Sequence, residues 1–122
     1  MPYRLTTEFS FDAAHFIEGH RGKCGRMHGH TYTVRITAEA QALAPSEYCD
    51  RPNMVADYST LKWCKKKLDH AVLNEVMGTG DTTAEMIAKW IYDNTKIRMG
   101  TNVKSFIVAV SETPGNWAEY SE

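Results

Sequence analysis

Alternating apolar and polar positions predict two long strands in the first third of the chain. From residue 5 to residue 15 the odd positions are largely apolar and the even positions are mostly polar or charged. After a loop rich in Gly, His and Arg, residues 31–42 alternate again. Their apolar face carries Tyr32, Val34, Ile36 and Ala38. A period of two residues is typical of strands that are buried on one face, so both segments are predicted as half-buried strands.

The middle of the chain shows helical spacing instead. One apolar stripe, between residues 60 and 68, consists of Leu61, Cys64 and Leu68. Asp57 or Ser59 precedes this stripe and is a candidate cap. The spacing predicts a first helix in this part of the chain.

A second helix is predicted to follow. Thr82 and Glu85 have the spacing of a capping box, which marks a helix start. The apolar stripe behind them consists of Ile87, Trp90 and Ile91.

The last quarter predicts two more strands. Residues 103–112 are rich in β-branched side chains, and Pro114 and Gly115 predict a turn into a closing segment around Trp117. Residues 44–52 are predicted as a loop. The order is ββααββ, which predicts an α+β fold, a four-stranded antiparallel sheet with two helices on one face, within a single domain over residues 1–122.

Composition narrows the class of protein. The chain has 122 residues, 14 Lys and Arg against 15 Asp and Glu, and a net charge of −1. Without a basic stripe, nucleic acid is not the expected partner. No segment resembles a signal peptide or a membrane span, so a cytoplasmic location is expected. The three cysteines, Cys24, Cys49 and Cys64, are odd in number and widely spaced, and free thiols are expected.

Three histidines form the strongest chemical signal. His28 and His30 are two residues apart on an extended segment and therefore point to the same side. His15 ends the first predicted strand where the second begins, so an antiparallel pairing brings it beside them. Three imidazoles with an open fourth position are the composition of a catalytic zinc site. Solvated loop histidines are the alternative, and His20, which has no such register, is left in that class.

Two further groups could move protons. Cys24 lies between Lys23 and Arg26, and cationic neighbours favour a thiolate that is either a metal ligand or a base. Asp69 precedes His70, and a carboxylate can orient and charge an imidazole. The alternatives are a loop cysteine without a role and a histidine that only interacts with a helix C-terminus.

Glu112 shares its parity with the apolar face of the last long strand. A carboxylate on that face needs a donor partner, and a guanidinium or the amino-pyrimidinone edge of a pterin would satisfy both oxygens. A glutamate that emerges into solvent at the strand end is an equally good reading of the pattern.

Four short motifs together resemble one known family. They are Ala-Ala-His at 13–15, Cys-Gly-Arg-Met-His-Gly-His at 24–30, Leu-Asp-His with Leu-Asn at 68–74, and Ser-Glu-Thr-Pro at 111–114. In this order they resemble the 6-pyruvoyl-tetrahydropterin synthase superfamily. The three residues between Cys24 and His28 are most similar to the bacterial 6-carboxytetrahydropterin synthases of queuosine biosynthesis.

The resemblance implies a role for each matching residue. It implies Zn²⁺ on His15, His28 and His30, and a catalytic trio of Cys24, Asp69 and His70. It implies pterin binding by Glu112 and Thr83. Ala84 departs from relatives that carry a second threonine there.

The resemblance also implies an assembly and a substrate. The expected fold is the tunnelling fold, in which trimers close into a barrel, two trimers stack into a homohexamer, and active sites form between subunits. The implied substrate is 7,8-dihydroneopterin triphosphate, converted to 6-carboxytetrahydropterin with release of acetaldehyde and triphosphate. A sibling activity yielding 6-pyruvoyl-tetrahydropterin or a folate precursor is the nearest alternative, and a zinc-stabilised binding module is the alternative from another class.

Overall fold

The computed structural model describes residues 2–122. The elements, in chain order, are β1 (Tyr3–His15), β2 (His28–Ala40), β3 (Ala44–Ser46), β4 (Cys49–Met54), α1 (Tyr58–Leu61), α2 (Lys65–Leu68), β5 (Ala71–Val72), α3 (Leu73–Met77), α4 (Ala84–Lys96), β6 (Val103–Thr113) and β7 (Asn116–Ser121). A 3₁₀ turn, Lys23–Gly25, lies between β1 and β2.

One sheet organises the molecule. Its strand order is β5-β1-β2-β6-β7, and the four long strands are antiparallel to their neighbours. The two-residue β5 adds a parallel edge beside β1. The predicted α+β class with four antiparallel strands is therefore confirmed, and β5 is an addition that the sequence pattern does not reveal.

The core lies between the inner face of this sheet and the helices. Alternation places Phe9 and Phe11 of β1 against Val34 of β2, and α4 contributes Ile87 and Ile91. All five are at most 6% exposed. Burying one such side chain stabilises the fold by about 1.5–3 kcal/mol, so the inner positions of β1 and β2 are held firmly in place.

The start of α4 differs from the prediction by one residue. Thr83, rather than Thr82, is the cap, and its Oγ1 accepts a hydrogen bond of 3.3 Å from the backbone N–H of Met86. Thr82 is instead fully buried. The capping box predicted at Thr82 and Glu85 is therefore wrong.

The first predicted helix is also different. It is divided into α1 and α2, because α1 ends at Leu61 and α2 begins only after Cys64. The cap predicted at Asp57 is confirmed, since its Oδ1 accepts a hydrogen bond of 2.9 Å from the backbone N–H of Ser59.

The loop predicted at residues 44–52 is wrong, because β3 and β4 form a small separate hairpin there. Prolines at positions 45 and 52 lie inside these strands, and proline weakens a strand signal because it cannot donate to a strand ladder. None of the helices within residues 2–122 is long and apolar enough to span a bilayer.

Candidate functional site

The register of β1 and β2 brings three histidines together. His15 lies directly opposite His28, and Ala13 lies opposite His30. The ring centroids are 4.6 Å apart for His15 and His28, 5.2 Å for His15 and His30, and 4.8 Å for His28 and His30. One ring nitrogen of each lies within 4.8 Å of the other two. The structure thus forms the cluster that the parity of these residues predicts.

Backbone carbonyls orient two of the three rings. The His15 Nδ1–H donates to the Thr82 carbonyl oxygen at 2.8 Å, and the His28 Nδ1–H donates to the Arg26 carbonyl oxygen at 2.6 Å. A histidine that binds a metal through one nitrogen typically donates its other N–H in this way. The Nε2 atoms of His15 and His30 are buried and have no hydrogen-bond partner. Buried nitrogens with a free lone pair fit a bound cation.

The protonation of the cluster also suits a metal. Burial lowers the pKa of His15 to about 4, and the neighbouring His28 and His30 act in the same direction. Burial, together with His28, lowers the pKa of His30. Near neutral pH both rings are therefore uncharged and offer lone pairs. Together with the third imidazole, they form a donor set that fits Zn²⁺.

We expect the metal-free protein to lose stability as the pH falls from 6.5 towards about 4, the interval between the unfolded and folded pKa values of His15. In that interval the unfolded chain binds a proton that the folded chain excludes. The contribution of His15 to the free energy of unfolding is complete above the pKa of the unfolded chain. Its loss at low pH is at most about 3 kcal/mol. Urea unfolding of zinc-free protein at several pH values measures it.

A His15→Asn variant is the control for this pH dependence. Asparagine keeps a side-chain N–H for the Thr82 carbonyl and has no titrating ring. The lowered pKa of His30 acts in the same direction as His15, whereas burial raises the pKa of Glu112 and acts in the opposite direction. If the free energy of unfolding of the variant falls as steeply with decreasing pH, the pH dependence belongs to groups other than His15.

Glu112 faces the histidine cluster. Its Oε1 lies 4.0 Å from His15 Nε2 and its Oε2 lies 3.8 Å from His30 Nε2. The side chain is 24% exposed and borders an open groove that also contains Thr113 and Trp117. The carboxylate is therefore on the apolar face that its parity predicts, close to two of the three imidazoles.

Tyr32 is a residue of this site that the sequence pattern presents only as core. It lies within the cluster, with ring centroids 5.7 Å from His15 and 5.4 Å from His30. Its hydroxyl is buried and has no hydrogen-bond partner. An apolar position in an alternating strand gives no sign of such a hydroxyl.

Asp69 and His70 form a pair just before β5, on the side of β1 that faces away from β2. The Asp69 Oδ1 lies 3.1 Å from His70 Nδ1 and accepts a hydrogen bond of 3.0 Å from the backbone N–H of Asp12. That backbone hydrogen bond is the main cause that lowers the Asp69 pKa. His70 is exposed and has a φ of 58°, the only positive φ of a non-glycine residue within residues 2–122.

Cys24 lies in the turn between β1 and β2. It is half-buried in the 3₁₀ turn, and its carbonyl oxygen accepts a hydrogen bond of 2.8 Å from the backbone N–H of Ile17, two residues after His15. Among the described residues, two clusters of possible metal-binding side chains form: the three histidines, and Asp12 with Asp69 and His70. Cys24 belongs to neither cluster, and its place in a catalytic trio with Asp69 and His70 stays a prediction.

Thr83 is half-buried, and its hydroxyl caps α4. Its role in pterin binding stays a prediction.

Comparison with known proteins now identifies the family. The family model described as 6-pyruvoyl tetrahydropterin synthase matches residues 4–122. The chain belongs to this family. Membership agrees with the resemblance found in the sequence motifs.

Two curated relatives show which enzymes of the family this chain is similar to. A 6-carboxy-5,6,7,8-tetrahydropterin synthase from Synechocystis is 40% identical over 90 residues, which cover 70% of this chain and 68% of the relative. The enzyme of the same name from Bacillus subtilis is 35% identical over 129 residues, which cover 97% of this chain and 84% of the relative. The chain is therefore an enzyme, a lyase similar to the 6-carboxytetrahydropterin synthases.

Solved structures show the same fold. The 6-pyruvoyl tetrahydropterin synthase of Caenorhabditis elegans superposes with a TM-score of 0.75 at 23% identity, covering 100% of this chain and 96% of that one. The Plasmodium vivax enzyme gives a TM-score of 0.74 at 20% identity, covering 100% of this chain and 98% of that one. At these identities the similarity establishes the fold alone.

Proposed function

We propose that this chain is a zinc-dependent lyase, acting as a single domain, that converts 7,8-dihydroneopterin triphosphate to 6-carboxytetrahydropterin, acetaldehyde and triphosphate in 7-deazaguanine and queuosine biosynthesis. The names of the curated relatives support this reaction. The observation that carries the proposal is the cluster of three imidazoles, with two partnerless buried Nε2 atoms, beside a carboxylate at an open groove.

His15, His28 and His30 would hold the zinc ion. When bound, zinc polarises a substrate oxygen and lowers the pKa of a hydroxyl that it binds. The imidazoles contribute as neutral donors, because burial lowers the pKa of His15 and His30. The hydrogen bonds of His15 and His28 to carbonyl oxygens keep their Nε2 atoms directed into the cluster.

Glu112 is assigned to the pterin ring. Its two oxygens can accept two N–H bonds from the amino-pyrimidinone edge, an arrangement that fixes the ring in one plane. The groove at Glu112 is open, with Trp117 and Pro114 along its sides. The ring would therefore enter from solvent and place its side chain near the histidines.

Proton transfer is assigned to Cys24, Asp69 and His70. Cys24 would act as the base that removes a proton from the substrate side chain. Asp69 accepts the His70 Nδ1–H, which leaves His70 Nε2 free to exchange a proton with the substrate.

We expect a homohexamer of two stacked trimers. Cys24 is outside the cluster that Asp69 and His70 form with Asp12, so a neighbouring subunit is proposed to supply the pair. The terminal strands β5 and β7 are also free edges, and free edges favour pairing between chains. Sedimentation equilibrium should give six chains. A monomer with full turnover would contradict the shared site.

Product analysis tests the function. Zinc-loaded protein is incubated with 7,8-dihydroneopterin triphosphate, the pterin is identified by mass spectrometry, and acetaldehyde is trapped. 6-Carboxytetrahydropterin with acetaldehyde supports the proposal. 6-Pyruvoyl-tetrahydropterin or a folate precursor would assign a sibling activity, and no turnover by fully zinc-loaded protein would favour a zinc-stabilised binding module.

The Glu112→Gln variant is expected to bind pterin about ten- to a hundredfold more weakly. Glutamine keeps the size but replaces an acceptor oxygen with a donor, and a hydrogen bond to a charged group contributes about 1.5–3 kcal/mol. Pterin affinity and zinc content are measured together. Zinc content should stay at the level of the unmodified protein, because the carboxylate is assigned to the pterin.

Glu119→Gln is the matched control, since Glu119 is an exposed glutamate of the neighbouring strand β7. It should bind pterin normally. If Glu112→Gln loses its zinc, the carboxylate is a fourth ligand and the site is closed. Unchanged pterin affinity would show that Glu112 does not bind the pterin and is a solvated glutamate at the strand end.

A further inference from the structure

The backbone just beyond β1 is held by one buried side chain. Asn74, the second residue of α3, is 9% exposed. Its Oδ1 accepts a hydrogen bond of 3.0 Å from the Phe16 N–H, and its Nδ2 donates one of 2.8 Å to the Phe16 carbonyl oxygen. The side-chain amide therefore satisfies both backbone groups of the residue that follows His15.

The same side chain also fixes the segment that carries Thr82. The Asn74 Nδ2 lies 3.3 Å from the Thr79 carbonyl oxygen. The main-chain carbonyl oxygen of Asn74 also accepts a hydrogen bond of 3.2 Å from the Thr79 N–H. Three residues later, the buried Thr82 donates its hydroxyl to the Phe16 carbonyl oxygen at 2.9 Å. The Thr82 carbonyl oxygen accepts the Nδ1–H of His15.

These contacts close a ring around His15. Asn74 holds the backbone of Phe16, the residue after His15, and the Thr82 carbonyl oxygen accepts the N–H of the His15 ring. The next residue, Ile17, donates its N–H to the Cys24 carbonyl oxygen, so the same backbone also supports the turn that carries the thiol. His28 has a different support, the Arg26 carbonyl oxygen.

We propose that Asn74 is a positioning residue of the metal site, which acts with Thr82 by holding His15 in the place where its Nε2 meets the other two imidazoles. The inference rests on the proposed function, because it requires that the three histidines bind zinc. An asparagine is suited to this task because its amide donates and accepts at once, as a backbone unit does. Groups behind a metal ligand commonly change metal affinity about 10–100-fold.

The test is zinc affinity, measured by competition with a chromophoric chelator, together with the melting temperature of each zinc-free protein. Asn74→Ala should bind zinc about 10–100-fold more weakly than the unmodified chain. The control is a substitution at Leu73, the fully buried neighbour in α3. Leu73→Val or Leu73→Ala is chosen, whichever matches the melting temperature of Asn74→Ala. This control should keep the affinity of the unmodified chain.

A second pair of variants remains informative if Asn74→Ala does not fold. Thr82→Val keeps the shape of the side chain but removes the hydroxyl, which donates to the Phe16 carbonyl oxygen and lies 3.1 Å from His15 Nδ1. Thr82→Ser retains a hydroxyl. Thr82→Val should weaken zinc binding and Thr82→Ser should restore it. Serine and valine variants of equal affinity would overturn the inference, as would equal losses in Asn74→Ala and its Leu73 control.

The zinc affinity of the unmodified chain distinguishes a failure of this inference from a failure of the proposed function. If the unmodified chain binds zinc tightly and the Asn74 and Thr82 variants do the same, the inference fails while the proposed function stands. If it binds no zinc, the proposed function fails and the inference fails with it.

Discussion

Replacing His28 with alanine should abolish zinc binding at concentrations at which the unmodified chain holds one ion per subunit. The cluster offers three imidazoles, and the variant leaves two. Changes behind a ligand already cost about 10–100-fold in metal affinity, so the loss of a ligand should exceed a hundredfold, or about 2.7 kcal/mol. Metal analysis after dialysis against a chelator measures the content, and turnover should fall with it.

His20→Ala is the matched control. His20 is an exposed loop histidine whose Nδ1 accepts a hydrogen bond from the backbone N–H of Gly22. We expect its zinc content and turnover to equal those of the unmodified chain. Full zinc and full activity in His28→Ala would remove the metal-site hypothesis altogether.

Replacing Cys24 with alanine should leave zinc in place and eliminate most of the turnover. A positioned general base contributes about 10²–10⁴-fold to a rate, and Cys24 is assigned to that role while the histidines bind the metal. The structure is consistent with this separation, since Cys24 is outside the histidine cluster. Single-turnover rates and zinc content are measured on the same preparation.

Cys49→Ala provides the comparison for Cys24→Ala. Cys49 is also a half-buried free cysteine, at the start of the β4 hairpin strand. It should retain normal turnover. Loss of zinc from Cys24→Ala would make the thiol a ligand, and an unchanged rate would make it a bystander.

The long strands could be predicted because burial on one face imposes a period of two. That alternation locates β1 and β2, whereas a run of β-branched residues locates β6 and the turn at Pro114 and Gly115 locates β7. Shorter elements have no comparable signal. The strand β5 has only two residues, and α3 has five, too few to show any period. The stripe of the first predicted helix is real, since Leu61, Cys64 and Leu68 are fully buried, but a stripe does not reveal that the helix is interrupted after Leu61.

The histidine cluster was predictable for the same reason, because parity and antiparallel register together determine which side chains face one another. The supports behind it were not. Thr82 and Asn74 act through contacts 67 and 58 residues away along the chain, with His15 and with Phe16. Local spacing instead presents Thr82 as a helix cap. The sequence pattern does not predict Tyr32 as a site residue either, because its ring is apolar and only its hydroxyl distinguishes it from the rest of the core.

The left-handed backbone of His70 has a consequence for the choice of substitutions. A left-handed conformation costs an ordinary L-residue about 1–2 kcal/mol, and asparagine is among the side chains that tolerate it best. An alanine at this position would therefore change the backbone energy and the chemistry in one step. His70→Asn removes the imidazole and accommodates the same φ. A comparison of the two substitutions separates the cost of holding the chain in that shape from the value of the imidazole it presents.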